Sequence, residues 1–234
     1  MSPSEPAVLW EDGAVLIVGK PAGWLTVPTP KKETKTLLHW ASDYVKRHGG
    51  KKAYVVHRLD RETSGAIALA KTPEAQQSLE KQFREHKPGR TYLALVQGVP
   101  AKKKDRLVHR LVPDPAQRGV ERVSRNPRLG VEAVTEYEVL EAFGGVAALL
   151  EVKPQTGRTN QIRVQLAHVG HPLVGDRKYS KAGKFSVRAA RTLLHAQGLS
   201  FRHPVTGKTL EARAPLPGDF EEVLIRLRPP EPPR

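Results

Sequence analysis

Residues 54 to 71, Tyr-Val-Val-His-Arg-Leu-Asp-Arg-Glu-Thr-Ser-Gly-Ala-Ile-Ala-Leu-Ala-Lys, set a dense polar segment between two short apolar runs. Runs of that length bounded by turn residues read as strands, so the polar core is a loop held between two of them. From His57 to Glu62 five of six positions are charged or ionisable, and Thr63, Ser64 and Gly65 then supply small residues for a tight turn. Loops of this kind on a strand scaffold are where binding and catalysis concentrate. A solvated charged loop fits the same residues, so the loop alone does not decide its use.

The flanking chain alternates strand and helix patterns irregularly. Residues 14 to 18 form an apolar run entering a Gly- and Pro-rich turn, which places Lys20 at a strand end. Leu37, Leu38, Ala41, Tyr44 and Val45 recur at helical spacing before Gly49 and Gly50, predicting a helix over 36 to 48. Strands are predicted at 53 to 56 and 66 to 70. Thr72 then caps a helix with Pro73 in its first turn and Ala75, Leu79 and Phe83 facing inward. Residues 91 to 97 read as a central strand with Tyr92 near its start. Lys102 to Gly130 is basic and Pro-rich, the least ordered region by pattern, and reads either as an RNA-contacting arm or as a solvated hairpin.

Strands at 131 to 140 and 146 to 153 join around Gly144 and Gly145, with Val131, Ala133, Thr135, Tyr137 and Val139 on one face. Pro154 to Arg163 opens a helix whose inward residues are Ile162, Leu166 and Val169. Strands near 193 to 201 and 208 to 213 and a helix over 219 to 227 complete the pattern. The result is an α+β chain with a mixed sheet: a short extension over 1–13, one domain over 14–228 and a Pro-rich tail over 229–234.

Charge narrows the partner. Thirty-nine Lys and Arg against 24 Asp and Glu give a formal net charge of +15, which calls for a polyanion. Charge by itself does not separate RNA from DNA or from an anionic membrane. With no cysteine, disulfides, thiolate nucleophiles and Cys-based zinc sites are excluded. The polar N-terminus has no signal-peptide layout and no apolar run approaches membrane-span length, so the expectation is a cytoplasmic protein.

Common chemical motifs fail on spacing. Gly207-Lys208-Thr209 lacks a phosphate loop's leading glycine, since Arg202 stands there. His168 and His171 miss the spacing of a zinc-binding helix and lack a third ligand, so no metal is expected. No Gly-x-Ser-x-Gly elbow is present.

Three ordered segments carry the specific signal: Lys20-Pro21-Ala22-Gly23, His57-Arg58-Leu59-Asp60-Arg61-Glu62-Thr63-Ser64-Gly65, and Thr156-Gly157-Arg158-Thr159-Asn160-Gln161-Ile162-Arg163. With Gly170-His171-Pro172-Leu173-Val174-Gly175-Asp176 and Leu194-His195-Ala196, they closely resemble the RluA-type pseudouridine synthase family from about Ala14 to Phe220. The resemblance implies a largely antiparallel mixed sheet flanked by helices, with a central RNA-binding cleft. It implies that Asp60 is the catalytic aspartate. Arg58 resembles the side chain that fills the RNA stack, Tyr92 the tyrosine that stacks on the flipped uracil, and Arg163 the arginine that ion-pairs with the aspartate. His57, Arg61, Lys20 and Arg158 join Arg58 as expected RNA contacts. Asn160 and Gln165 stand where histidine is frequent, and neither is expected to touch the chemistry.

The implied reaction suits these residue types. Uridine becomes pseudouridine when the C1′–N1 bond breaks, the uracil turns, and C5 joins C1′, with no net redox change and no cofactor. One carboxylate serves as nucleophile or as base, and both routes stay open. A stacked base must first leave its helix or loop, a cost offset by aromatic stacking and by a residue filling the gap. The expected partner is ribosomal or transfer RNA, with no DNA or membrane, bound by a monomer. A non-catalytic RNA-binding protein of the same fold is the first rival, and a metal-dependent hydrolase using His168 and His171 the second.

Overall fold

The computed structural model describes residues 5–31, 33–117, 119–180 and 187–228; the expected Pro-rich tail over 229–234 lies outside them. The elements in chain order are β1 (Ala7–Glu11), β2 (Val15–Lys20), α1 (Leu37–Arg47), β3 (Tyr54–Val55), β4 (Ser64–Ala70), α2 (Pro73–Arg84) and β5 (Gly89–Gln97). They continue as β6 (Lys104–Pro113), β7 (Glu121–Val123), β8 (Val131–Phe143), β9 (Ala147–Pro154), α3 (Gln161–His168), β10 (Leu194–Arg202), β11 (Thr209–Arg213) and α4 (Gly218–Leu227). Eleven strands and four helices among the described residues make an α+β fold. Among the same residues no helix is long and apolar enough to cross a membrane.

The chain divides into two compact units, one of Met1–Thr91 with His195–Pro215 and the other of Tyr92–Leu194 with Leu216–Arg234. In the first, β1 pairs antiparallel with β2, and β2 with β4 from Val15↔Ala70 to Lys20↔Gly65. The far edge of β4 takes β3 antiparallel and β10 parallel, through His195↔Ser64 and Ala196↔Gly65, and β11 closes antiparallel on β10. Every residue of β4 is buried, as a strand flanked on both edges and covered on its faces should be. Val15, Ile17, Ala66, Ala68, Leu79 and Phe201 form the core beneath it.

Both early helices start where the cap chemistry directs. Thr36 accepts from the His39 N–H and Thr72 from the Ala75 N–H, each cap residue being extended, and Pro73 fills the first turn of α2. Inside the stretch expected to precede the first strand, residues 7–11 form β1; its bulge between Val8 and Trp10 breaks the alternation that a sequence pattern would register.

The second unit is antiparallel throughout, with β9 between β5 and β8, β6 on β8, and β7 on β6. Its cores gather Ala94, Val96, Leu150, Ile162, Leu166 and Leu173 on one set of contacts and Leu95, Leu149, Phe220, Val223 and Leu224 on another. The basic stretch from Lys102 is ordered for much of its length: β6 pairs with β8 from Lys104↔Glu138 to Leu111↔Val131. That register sets Lys104 against Glu138 at 3.0 Å and Arg106 against Glu136 at 3.8 Å, while Lys102 meets Asp105 at 3.2 Å. One inward assignment fails: Val169, just past α3, is 37% exposed because the helix ends at His168. On the face of β8 that carries buried Ala133, Thr135 and Tyr137, Val131 at the strand's start is 51% exposed.

Candidate active site

In the first unit, the polar loop is tied down by the upstream Lys20-Pro21-Ala22-Gly23 turn. Lys20 is 1% exposed, and its ammonium donates to the carbonyls of Pro21 at 3.0 Å, Trp24 at 2.9 Å and Arg61 at 3.2 Å. The Arg61 carbonyl also accepts from the Gly23 N–H at 2.8 Å, and Arg61 Nε returns a bond to the Gly23 carbonyl at 3.1 Å. Lys20, expected as an RNA contact, is buried here and clamps the loop through these three carbonyls. A buried ammonium is tolerated because each donor has an oxygen to meet.

Thr26 and Leu59 supply a second tether. Thr26 Oγ1 donates to the Leu59 carbonyl at 2.9 Å and accepts from the Leu59 N–H at 3.3 Å, with both residues buried. Leu59 is thus a buried peg, with Arg58 exposed before it and Asp60 partly buried after it. The Thr63 N–H bonds to the Asp60 carbonyl at 3.1 Å, so Asp60 opens a four-residue turn.

Behind that turn, buried Ser64 Oγ lies 3.0 Å from His195 Nδ1, and His195 Nε2 lies 3.2 Å from the Ala214 carbonyl. A carbonyl accepts only, so Nε2 carries the imidazole proton and Ser64 donates to Nδ1. Gly65, at φ +119°, has no room for a side chain, because a Cβ there would run into the Ala196 carbonyl. Thr63, Ser64 and Gly65 therefore shape the turn.

His57 also serves the scaffold. Its Nε2 accepts from the Ala68 N–H at 3.0 Å and its ring stacks on Phe83 with centroids 4.1 Å apart. Burial, with the nearby Arg90 charge, pushes its pKa down to about 3, which keeps the imidazole neutral and able to accept. Arg58 and Arg61 are the exposed cations of the loop.

In the second unit, Tyr92 lies in β5 opposite Val152, partly buried against the core that contains Ile162 and Leu194. Arg163 is 7% exposed in α3, and its Nε and Nη2 donate to the two oxygens of Asp176 at 2.7 and 2.9 Å. Its Nη1 donates to Asn160 Oδ1 at 2.8 Å. Asn160 thus helps to hold the guanidinium. It does so from the helix N-cap at φ +52°, a left-handed position that asparagine tolerates, with its side chain turned from the helix end toward Arg163. Tyr179 completes the cradle, with the Arg163 Cζ 5.1 Å from its ring centroid and its hydroxyl accepting from the Glu121 N–H at 3.0 Å.

Gln165 is fully buried beside this cradle. Its Oε1 accepts from Thr135 Oγ1 at 2.6 Å, and its Nε2 reaches the carbonyls of Ala133 at 3.0 Å and Leu107 at 3.2 Å. Thr135 Oγ1 in turn accepts from Gln161 Nε2 at 2.9 Å. This network sets α3 against β6 and β8, and hence the direction of Arg163. Arg158, partly buried, spends its Nε on the Glu132 carbonyl at 3.0 Å. His168 packs edge-on to His109 while His171 Nδ1 meets the Gln97 carbonyl, so the two histidines face different neighbours.

Local pattern did not mark Asp176, Asn160 or Tyr179 as partners of Arg163. The Gly175-Asp176 pair in the fourth motif was the one available signal for the carboxylate, and it carried no information about which arginine it meets.

Comparison with known proteins decides the family. The model of the RNA pseudouridylate synthase family matches residues 14–168, more than half of the chain. The chain belongs to the RluA-type RNA pseudouridine synthases. It is 37% identical over 217 residues to the dual-specificity RNA pseudouridine synthase RluA of Escherichia coli K12, covering 91% of this chain and 95% of that one. It is 38% identical over 228 residues to the uncharacterized RNA pseudouridine synthase slr1629 of Synechocystis, covering 94% and 68%. Among solved structures, human RNA pseudouridylate synthase domain containing 4 superposes with a TM-score of 0.80 at 26% identity, over 94% of this chain and 92% of that one. This pseudouridine synthase is thus an isomerase whose substrate is RNA.

Proposed function

We propose that the enzyme isomerises specific uridines of ribosomal or transfer RNA, with Asp60 as the reacting carboxylate and the target base turned out of its stack. The observation that carries this is the over-determined Asp60 turn. Lys20, Gly23, Thr26 and Arg61 fix the backbone on either side of one partly buried carboxylate, as a reacting group must be fixed. In the reaction, the C1′–N1 bond breaks, the uracil turns, C5 bonds to C1′, and the proton lost from C5 is matched by one gained at N1. Asp60 acts toward the ribose as nucleophile or as base.

Exposed Arg58, beside the buried Leu59 peg, suits the gap that the departed base leaves. Tyr92 supplies the stacking face for the flipped uracil. Arg163 supplies the positive charge that supports an ionised aspartate, oriented by Asp176 and Asn160. Arg61 and Arg158 contact phosphates. The dual specificity in the name of the Escherichia coli relative supports a chain serving more than one RNA site. The enzyme acts as a cytoplasmic monomer on RNA and not on DNA.

Pseudouridine mapping across total RNA tests this, comparing cells that lack the protein with cells complemented by wild type or by Asp60→Ala. Sites should vanish on deletion and return only with wild type. Restoration by Asp60→Ala would sink the assignment of Asp60, and an unchanged map on deletion would sink the substrate reading.

A further inference from the structure

Helix α1 carries two features that the proposed chemistry does not use. Its outward side bears Trp40, Tyr44 and His48 at four-residue spacing, and the rings form one column. Trp40 and Tyr44 stack at 5.5 Å and 17°, and Tyr44 and His48 at 4.1 Å and 29°. Leu37, Ala41 and Val45 hold the opposite side in the core. Tyr44 is pinned from its far end, its hydroxyl donating to Glu11 Oε1 at 3.0 Å, and His48 is exposed at the end of the column.

The second feature follows directly in sequence. Lys46, Arg47, Lys51 and Lys52 are all exposed around the Gly49-Gly50 turn, and no Asp or Glu occurs between Asp43 and Asp60. None of the four has an acidic partner among the described residues. Lys52 instead lies over the Tyr54 ring at 4.8 Å. Lys102, just before β6, and Lys104 and Arg106 within it differ sharply, since each faces a carboxylate. Lys46 and Arg47 complement the negative end of α1, which accounts for two charges. Lys51 and Lys52 lie beyond the helix, where like charges only repel one another unless a polyanion neutralises them.

We infer that the end of α1 and the Lys46–Lys52 turn form an accessory binding face for single-stranded RNA, distinct from the Asp60 loop in sequence and in its chemistry. The four cations follow the phosphates, and a nucleobase stacks on exposed His48 to extend the aromatic column. Phosphate attraction beside an aromatic platform is the pairing by which proteins hold single strands without reading sequence. Such a face grips RNA flanking the modified uridine.

The test is equilibrium binding of the full chain to a fluorescein-labelled 20-nucleotide oligouridylate. Binding is measured without turnover, so the result is independent of the role assigned to Asp60. Lys46→Gln/Arg47→Gln/Lys51→Gln/Lys52→Gln is expected to weaken binding at least 10-fold near 0.1 M salt and to lower the log–log salt slope by roughly 3, at ~0.7 per lost phosphate contact. Lys102→Gln/Lys104→Gln, per charge removed, should cost far less. His48→Ala should weaken binding about 5-fold or more, with the helix intact by circular dichroism. Equal losses per charge in the two lysine sets, or full binding by His48→Ala, would overturn the inference. So would a charge-dependent loss seen with phosphatidylglycerol vesicles and not with the oligonucleotide.

Discussion

Asp176 grips Arg163 through both carboxylate oxygens, at 2.7 and 2.9 Å, where neither side chain is open to water. The same carboxylate accepts the N–H groups of Lys178 and Tyr179 at 2.9 and 3.2 Å. A buried pair that is fully hydrogen-bonded is tolerated, but a single member left behind is costly. Asp176→Asn should therefore destabilise the fold by about 3–5 kcal/mol, read by urea denaturation. Replacing both residues together, as Arg163→Met with Asp176→Leu, should recover much of that loss; a double variant as unstable as the single one would contradict this account.

Gly65→Ala should be among the most damaging small substitutions. The added methyl meets the Ala196 carbonyl in a β-ladder that neither strand can leave, and φ +119° is a conformation that alanine resists. We expect a loss above about 3 kcal/mol or failure to accumulate as folded protein. Gly207→Ala, with open space around its Cβ position, is the comparison, and should cost about 1 kcal/mol for its positive φ alone. Melting temperatures of the two variants make the test.

His57 makes stability depend on acid. Its pKa of about 3 lies below the ordinary 6.5, so the unfolded chain takes a proton that the folded chain refuses. The contribution is fully present above pH 6.5 and drains away as the pH falls toward 3, at about 1.4 kcal/mol per unit. His57→Phe keeps a ring against Phe83 and removes that slope. Urea unfolding at pH 6.5 and 4.5 should show wild type losing about 2 kcal/mol more than the variant.

Tyr92 offers a test that separates binding from turnover. Tyr92→Phe keeps an aromatic face and should retain substantial RNA binding. Tyr92→Ala should lose roughly 10- to 100-fold in turnover at saturating RNA, the worth of one base stacked on one ring. Equal turnover by the two would remove Tyr92 from the site.

Elements with punctuation inside them were the legible ones. Thr72-Pro73 announced α2, and Gly144-Gly145 announced the turn between β8 and β9. Where pairing is non-local, the pattern ran out. β6 alternates basic residues with Leu107 and Leu111, and only the glutamates of β8, brought opposite by register, explain why so charged a segment forms a strand. The same limit applies at the candidate site. The Asp60 loop stood out through its own residues, whereas Lys20 read as a strand-end cation until its burial against three carbonyls was seen. Asp176 and Asn160 gave no local sign, since their meaning lies in the arginine they meet.

The contact between Ser64 and His195 spans 131 residues of chain. At ~5–20 residues per second, a ribosome needs roughly 7–26 s to deliver the histidine after the serine. During that interval the nascent Asp60 loop has its upstream clamp from Lys20 and Thr26, while one edge of β4 still waits for β10. Its final shape is thus among the last things synthesis can complete. A chain stopped short of residue 195 would carry the loop's own residues without the strand that sets them.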